Sequence, residues 1–295
     1  MSAHHHDHAP QGLTRRYALG IGLNIAIVAG EAIAAFAGNS MALLADAGHN
    51  LTDILSLMLA GGAAWLASRP GNAKRTYGYR RATILASLAN ALILVVVSIA
   101  LAWEGLTRLF QPERVHEPIV IAVAAVAVVA NSATALLFLR GQKSDINVRA
   151  AFLHMAADAA LSLGVIVAGV GILLTGWQWL DPAMSLVIVL VILWGTWGVL
   201  RESFNLSLDA VPPGIDPAEV REYLLGLPGV TDAHHLHVWA MSTTEVALTA
   251  HLVKPDGVLD DALLARTERE LRERFGINHV ALQLEHGGPE NPCGA

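Results

Sequence analysis

Two short patterns of the same form stand inside long apolar stretches of the chain, His49-x-x-x-Asp53 and His154-x-x-x-Asp158. A spacing of four returns a side chain to the same face of a helix, and Asp46, His49, Asn50 and Asp53 all fall on one stripe. An ionisable group at mid-bilayer costs about 2.5 to 3.5 kcal/mol on insertion scales, so groups retained there need a reason. Two facing stripes would offer two imidazole nitrogens and two carboxylates. This donor set suits a tetrahedral divalent ion, zinc first and cobalt or cadmium next. Two neutral histidines and two aspartates carry a charge of about -2, which Zn2+ cancels, so the loaded site is cheaper to bury than the empty ionised one. When the ion leaves, protons can replace it, because imidazoles and paired buried carboxylates both titrate within reach of neutral pH.

Three other readings compete. The same residues would serve as polar contacts that pin two helices together. An intramembrane zinc metalloenzyme needs three ligands, an open water position and commonly a separate base. The chain has no His-Glu-x-x-His and no serine or cysteine nucleophile arrangement, which speaks against it. A metal sensor that does not transport is the last.

The elements that must carry these residues follow from composition. With 54% apolar residues, 15% charged residues and a mean hydropathy of +0.49 over 295 residues, the chain reads as a polytopic α-helical membrane protein. A bilayer core of about 30 Å takes about 20 apolar residues as helix. That rule gives four clear spans, Ala82 to Trp103, Ile119 to Leu139, Ala150 to Leu174 and Ala183 to Leu200. Two earlier ones, Tyr17 to Ala37 and Met41 to Leu66, are interrupted by Glu31 and by Asp46, His49 and Asp53. Six transmembrane helices are expected. If they alternate, eleven Lys and Arg (Arg15, Arg16, Arg69, Lys74, Arg75, Arg80, Arg81, Arg140, Lys143, Arg149, Arg201) face one side and two (Arg108, Arg114) the other. Both termini are therefore expected in the cytoplasm, and short loops suggest the inner (plasma) membrane of a prokaryote. Trp103, Trp177 and Trp179 would anchor the outer interface. The lone Cys293 excludes a disulfide framework or a multi-thiolate site, and no basic patch suggests nucleic acid.

Near Asn205 the composition changes, and Val211-Pro212-Pro213-Gly214 makes a rigid break. Helical and alternating patterns then follow as Pro217 to Leu227, Asp232 to Ala240, Glu245 to Val253, Leu259 to Phe275 and Val280 to Glu285. This αββαβ order predicts a small ferredoxin-like α+β domain with an antiparallel sheet on two helices. The expected division is a His-containing N-terminal tail at 1–14 (His4, His5, His6, His8), a membrane domain at 15–204 and a cytoplasmic domain at 205–295.

The run from Ser40 to Asp53 (SMALLADAGHNLTD), then Tyr77-Gly78-Tyr79-x-Arg81, resembles the cation diffusion facilitators, which include bacterial zinc, cadmium and cobalt exporters and eukaryotic zinc transporters. Asn147 to Asp158 (NVRAAFLHMAAD), with Ser162 and Gly164, is similar to the fifth span of that family, and Asp181-Pro182 with Ser185 to the sixth. The run His234-His235-Leu236-His237-Val238-Trp239 is similar to the cytoplasmic domain. The resemblance covers about Arg15 to Glu285. It implies a homodimer in a lipid bilayer, each protomer exchanging cytoplasmic metal for external protons at His49, Asp53, His154 and Asp158. It also implies regulatory zinc on the cytoplasmic domain, with His234, His251, His279 and Glu285 as candidate ligands and His235 and His237 as sheet residues. The histidine-rich loop often found before the fifth span is absent, since Gly141 to Val148 contains no histidine.

Overall fold

The computed structural model describes the backbone of residues 11–139, 146–255 and 261–286. Within these it describes all side chains except those of 11–24, 137–138, 146–151 and 154. The N-terminal histidines, most of the fourth-to-fifth loop and Cys293 lie outside the described residues. Six long helices come first: α1 (Gln11–Gly38), α2 (Met41–Ala67), α3 (Ala82–Phe110), α4 (Glu117–Phe138), α5 (Ile146–Thr175) and α6 (Leu180–Ser207). Over their described residues, α2 to α6 are long and apolar enough to cross a membrane, and α1 contributes the apolar stretch Ile25–Gly38. At 1.5 Å per residue the 29 residues of α3 reach about 44 Å, beyond the hydrocarbon core. The helix α3 outruns the apolar window Ala82 to Trp103, and its extension carries Glu104 and Arg108, paired at 2.9 Å.

The chain divides into two compact units. The first comprises the described residues of Met1–Met58 and Leu92–Trp197, and the second those of Leu59–Ala91 and Gly198–Ala295. In the first, small residues let helices approach closely. Ala35, Ala42, Ala45 and Ala124 are buried together with Leu43, Val120, Val165 and Ile188. A Cβ on Gly169 would lie 2.8 Å from the Ile121 side chain, so packing needs glycine there. The turn between α1 and α2 runs through Asn39 at φ +50, a backbone conformation that asparagine tolerates. Its side chain accepts from Arg108 Nη1 at 2.8 Å and donates to Glu113 Oε2 at 2.8 Å. The large apolar residues that remain uncovered, such as Leu57, Phe36 and Trp194, are normal where lipid replaces water as the neighbour.

In the second unit α7 (Pro217–Leu225) is capped by Asp216, whose Oδ1 accepts from the Ala218 amide at 2.8 Å. It is followed by β1 (Asp232–Ala240), β2 (Val246–Val253), α8 (Asp261–Phe275) and β3 (His279–Glu285). The αββαβ order is as expected, and the sheet order is β1-β2-β3. The expected all-antiparallel sheet is corrected: β1 and β2 pair antiparallel, whereas β2 and β3 run parallel. The reason is the connection. β1 and β2 are joined by a short turn, while β2 reaches β3 across a whole helix, which returns the chain to the same end of the sheet. Val220, Leu224, Val238, Leu248, Leu252 and Leu271 form the core between sheet and helices.

Candidate metal centres

The stripe on α2 meets α5 as its composition requires. His49 Nε2 lies 3.7 Å from Asp53 Oδ2 and 3.4 Å from Asp158 Oδ1. One ligand atom from each of the three residues falls within 4.8 Å of the others, close enough for a small side-chain adjustment to bring all three to a single ion. Asp158 is 3% exposed, so its charge has been taken out of solvent and requires a partner. His154 stands four residues before Asp158 on the same helix; its side chain lies outside the described residues.

Neighbouring polar groups fix this geometry. Ser162, four residues after Asp158, donates to Asp46 Oδ2 at 2.8 Å, so α2 and α5 are tied together one turn from the His49–Asp158 pair. Asn50 donates to Glu31 Oε2 at 3.0 Å and ties α2 to α1. Glu31 and Asp46 are both fully buried. A further carboxylate sets where α2 begins. Asp181, near the start of α6 and 3% exposed, accepts from the Ser40 hydroxyl and from the amides of Met41 at 2.5 Å and Ala42 at 3.3 Å. The first amides of a helix have no partner within it, and an anion there satisfies them and the helix dipole together. The sequence shows Asp181-Pro182 only as a helix start; its partner, 140 residues away, is visible only in three dimensions.

A second cluster lies on the C-terminal sheet. His234 Nε2 is 3.4 Å from Glu285 Oε2, and His251 Nδ1 is 2.7 Å from Glu285 Oε1. Their ligand atoms are mutually within 4.8 Å. His234 pairs with His251 across the antiparallel ladder, and β3 brings Glu285 alongside. His279 does not join them. It stands at the opposite end of β3, six residues from Glu285, or about 20 Å at the rise of a strand. There its ring meets Tyr77 edge-on at 5.5 Å. His235 does approach: its ring centroid is 5.4 Å from that of His234 and 5.3 Å from that of His251. A register shift between His234 and His237, with His235 at φ +48, turns this side chain toward the cluster. The structure shows the break in parity: Val238 and Ala240 are buried and Leu236 half-buried on one face, but the buried Ala233 falls an odd number of residues from them.

With both centres described, comparison with known proteins places the chain. Residues 18–206 match the cation efflux transmembrane domain, and residues 212–287 match the cation efflux protein cytoplasmic domain. The metal cation efflux system protein CzcD of Cupriavidus metallidurans is 36% identical over 285 residues, covering 96% of this chain and 90% of that protein. Zinc transporter ZitB of Escherichia coli is 34% identical over 298 residues, covering 99% and 94%. A cadmium, cobalt and zinc/H(+)-K(+) antiporter of Bacillus subtilis is 34% identical over 260 residues, covering 86% and 83%. The chain belongs to the cation efflux family, the cation diffusion facilitators. It is a multi-pass helical membrane transporter with a small C-terminal α+β domain, and not an enzyme.

Proposed function

We propose that this transporter exports zinc from the cytoplasm in exchange for external protons, with His49, Asp53, His154 and Asp158 as the transport site. The observation that carries the reading is the convergence of His49, Asp53 and Asp158 from two helices, with His154 one turn away on the second. Two nitrogens and two carboxylate oxygens favour zinc, with cadmium and cobalt as the other substrates, in keeping with the names of the relatives. A four-coordinate site without an open position holds its ion tightly. Release therefore needs α2 and α5 to shift relative to one another while protons arrive at the imidazoles and carboxylates, which is alternating access. The Lys and Arg bias supports cytoplasmic termini, and the short loops a prokaryotic inner membrane.

Residues 1–14, 15–204 and 205–295 serve as tail, transport domain and cytoplasmic domain in this reading. The cytoplasmic domain dimerises the protein and binds regulatory zinc at His234, His251 and Glu285, where acid weakens binding because imidazole ligates only when neutral. The test is zinc uptake into proteoliposomes under an imposed pH gradient, for the parent, Asp53→Ala and Asp158→Ala. Uptake that needs the gradient and vanishes in both variants is expected. Uptake unchanged in both variants would eliminate the proposed site, and uptake indifferent to the gradient would eliminate proton exchange.

A further inference from the structure

Outside both metal centres, the second unit contains a cavity of about 880 Å3 with walls of opposite character. One wall is the loop between α2 and α3, which brings Lys74, Arg75, Arg80 and Arg81 to it. The other comes from β1 and is largely apolar, with Leu236 and Trp239. Asp209 is the one carboxylate in the lining, so four cations face one anion. Arg81 is paired with Asp209, and Arg80 donates to Glu245 at 2.6 Å. Among the described residues neither Lys74 nor Arg75 forms an ion pair; Arg75 lies 4.8 Å over the Tyr79 ring.

The loop is built rather than slack. Asn72 Oδ1 accepts from the amides of Lys74 at 2.9 Å and Arg75 at 3.0 Å, and Asn72 and Arg75 exchange backbone hydrogen bonds. A Cβ on Gly71 would fall 2.3 Å from the Thr76 carbonyl oxygen, so only glycine lets the loop close. The loop leaves the membrane-spanning helix just after Trp65 on the last turns of α2, which is 61% exposed and carries the Arg69 guanidinium 4.0 Å above its ring. A tryptophan with a stacked arginine at the end of a span belongs to the headgroup layer.

We propose that this cavity holds an anionic phospholipid, its phosphate between Lys74 and Arg75 and the start of its acyl chains along Leu236 and Trp239. Cationic pockets at the cytoplasmic ends of spans select anionic headgroups, and the apolar wall is what a free phosphate would leave unused. Such a lipid would bridge the loop and the C-terminal sheet within this unit. The inference does not depend on which metal is carried.

The test uses the full chain purified in mild detergent, offered phosphatidylglycerol or phosphatidylcholine, with retained lipid read by native mass spectrometry. The parent is expected to retain phosphatidylglycerol and not phosphatidylcholine, with retention falling about tenfold or more in Lys74→Ala/Arg75→Ala. Arg266→Ala/Arg269→Ala removes the same charge from α8 and should retain the lipid as the parent does. Stoichiometric zinc binding by each variant verifies that it is folded. Equal retention by the Lys74/Arg75 variant and the parent, or none by the parent, would overturn the proposal. Glycerol phosphate binding as tightly as the lipid would overturn the lipid as occupant and leave a site for free phosphate esters.

Discussion

Replacing Asp158 by asparagine keeps the shape of the side chain and removes one charge from a position only 3% exposed. In the proposed site two neutral histidines and two aspartates balance Zn2+. With one aspartate gone, the loaded site carries a net charge of about +1 inside the membrane unit. An uncompensated charge there costs about 2.5 to 3.5 kcal/mol, which corresponds to zinc binding weaker by roughly 70- to 400-fold. The lost metal–oxygen bond adds to this, so the figure is a lower bound. The empty site moves the other way, because removing one of the two acids relieves their repulsion. The measurement is competition with a chromogenic zinc chelator at pH 7 in detergent, in a background of His234→Ala/His251→Ala so that the sheet cluster does not contribute. Zinc affinity within threefold of the parent would refute the charge-balance reasoning, whatever the flux.

Three further outcomes follow from the geometry. Asp181→Ala strips the amides of Met41 and Ala42 and the Ser40 hydroxyl of their acceptor; at about 1.5 to 3 kcal/mol per hydrogen bond to a charged group, loss of 3 kcal/mol or more is expected, read as a lower midpoint of thermal unfolding in detergent, and an unchanged midpoint would contradict the capping role. Asp46→Ala and Ser162→Ala should be non-additive in a double-mutant cycle on stability, with a coupling of about 0.5 to 1.5 kcal/mol, and strict additivity would mean that the 2.8 Å hydrogen bond is not formed. His235→Ala should weaken zinc binding to the C-terminal domain while His279→Ala leaves it unchanged, as measured by titration of the full chain carrying His49→Ala; the reverse order would refute the placement of both side chains.

Much of the site was legible because it obeys helical periodicity. A His and an Asp four residues apart must share a face, and their presence in two apolar stretches can be explained only by each other or by an ion. The same is true of the small domain, whose alternating and helical patterns gave the order of elements. What could not be read is what depends on pairing between distant segments. The parallel alignment of β3 on β2 comes from the helix between them, and the exclusion of His279 follows from that alignment together with strand length. The rotation of His235 toward His234 and His251 needed a bulge, which only the ladder register fixes.

The sequence by itself singled out the candidate ligands on the apolar helices and which helices carry them, since both depend on local spacing and on the cost of burying charge in an apolar phase. Tertiary structure decided which of those helices meet. Asp181 anchors the start of α2 from α6, and Ser162 holds Asp46 from α5, so that His49 comes within 3.4 Å of Asp158. Those partners stand more than 100 residues apart in the chain, and a periodic pattern has no memory over that distance.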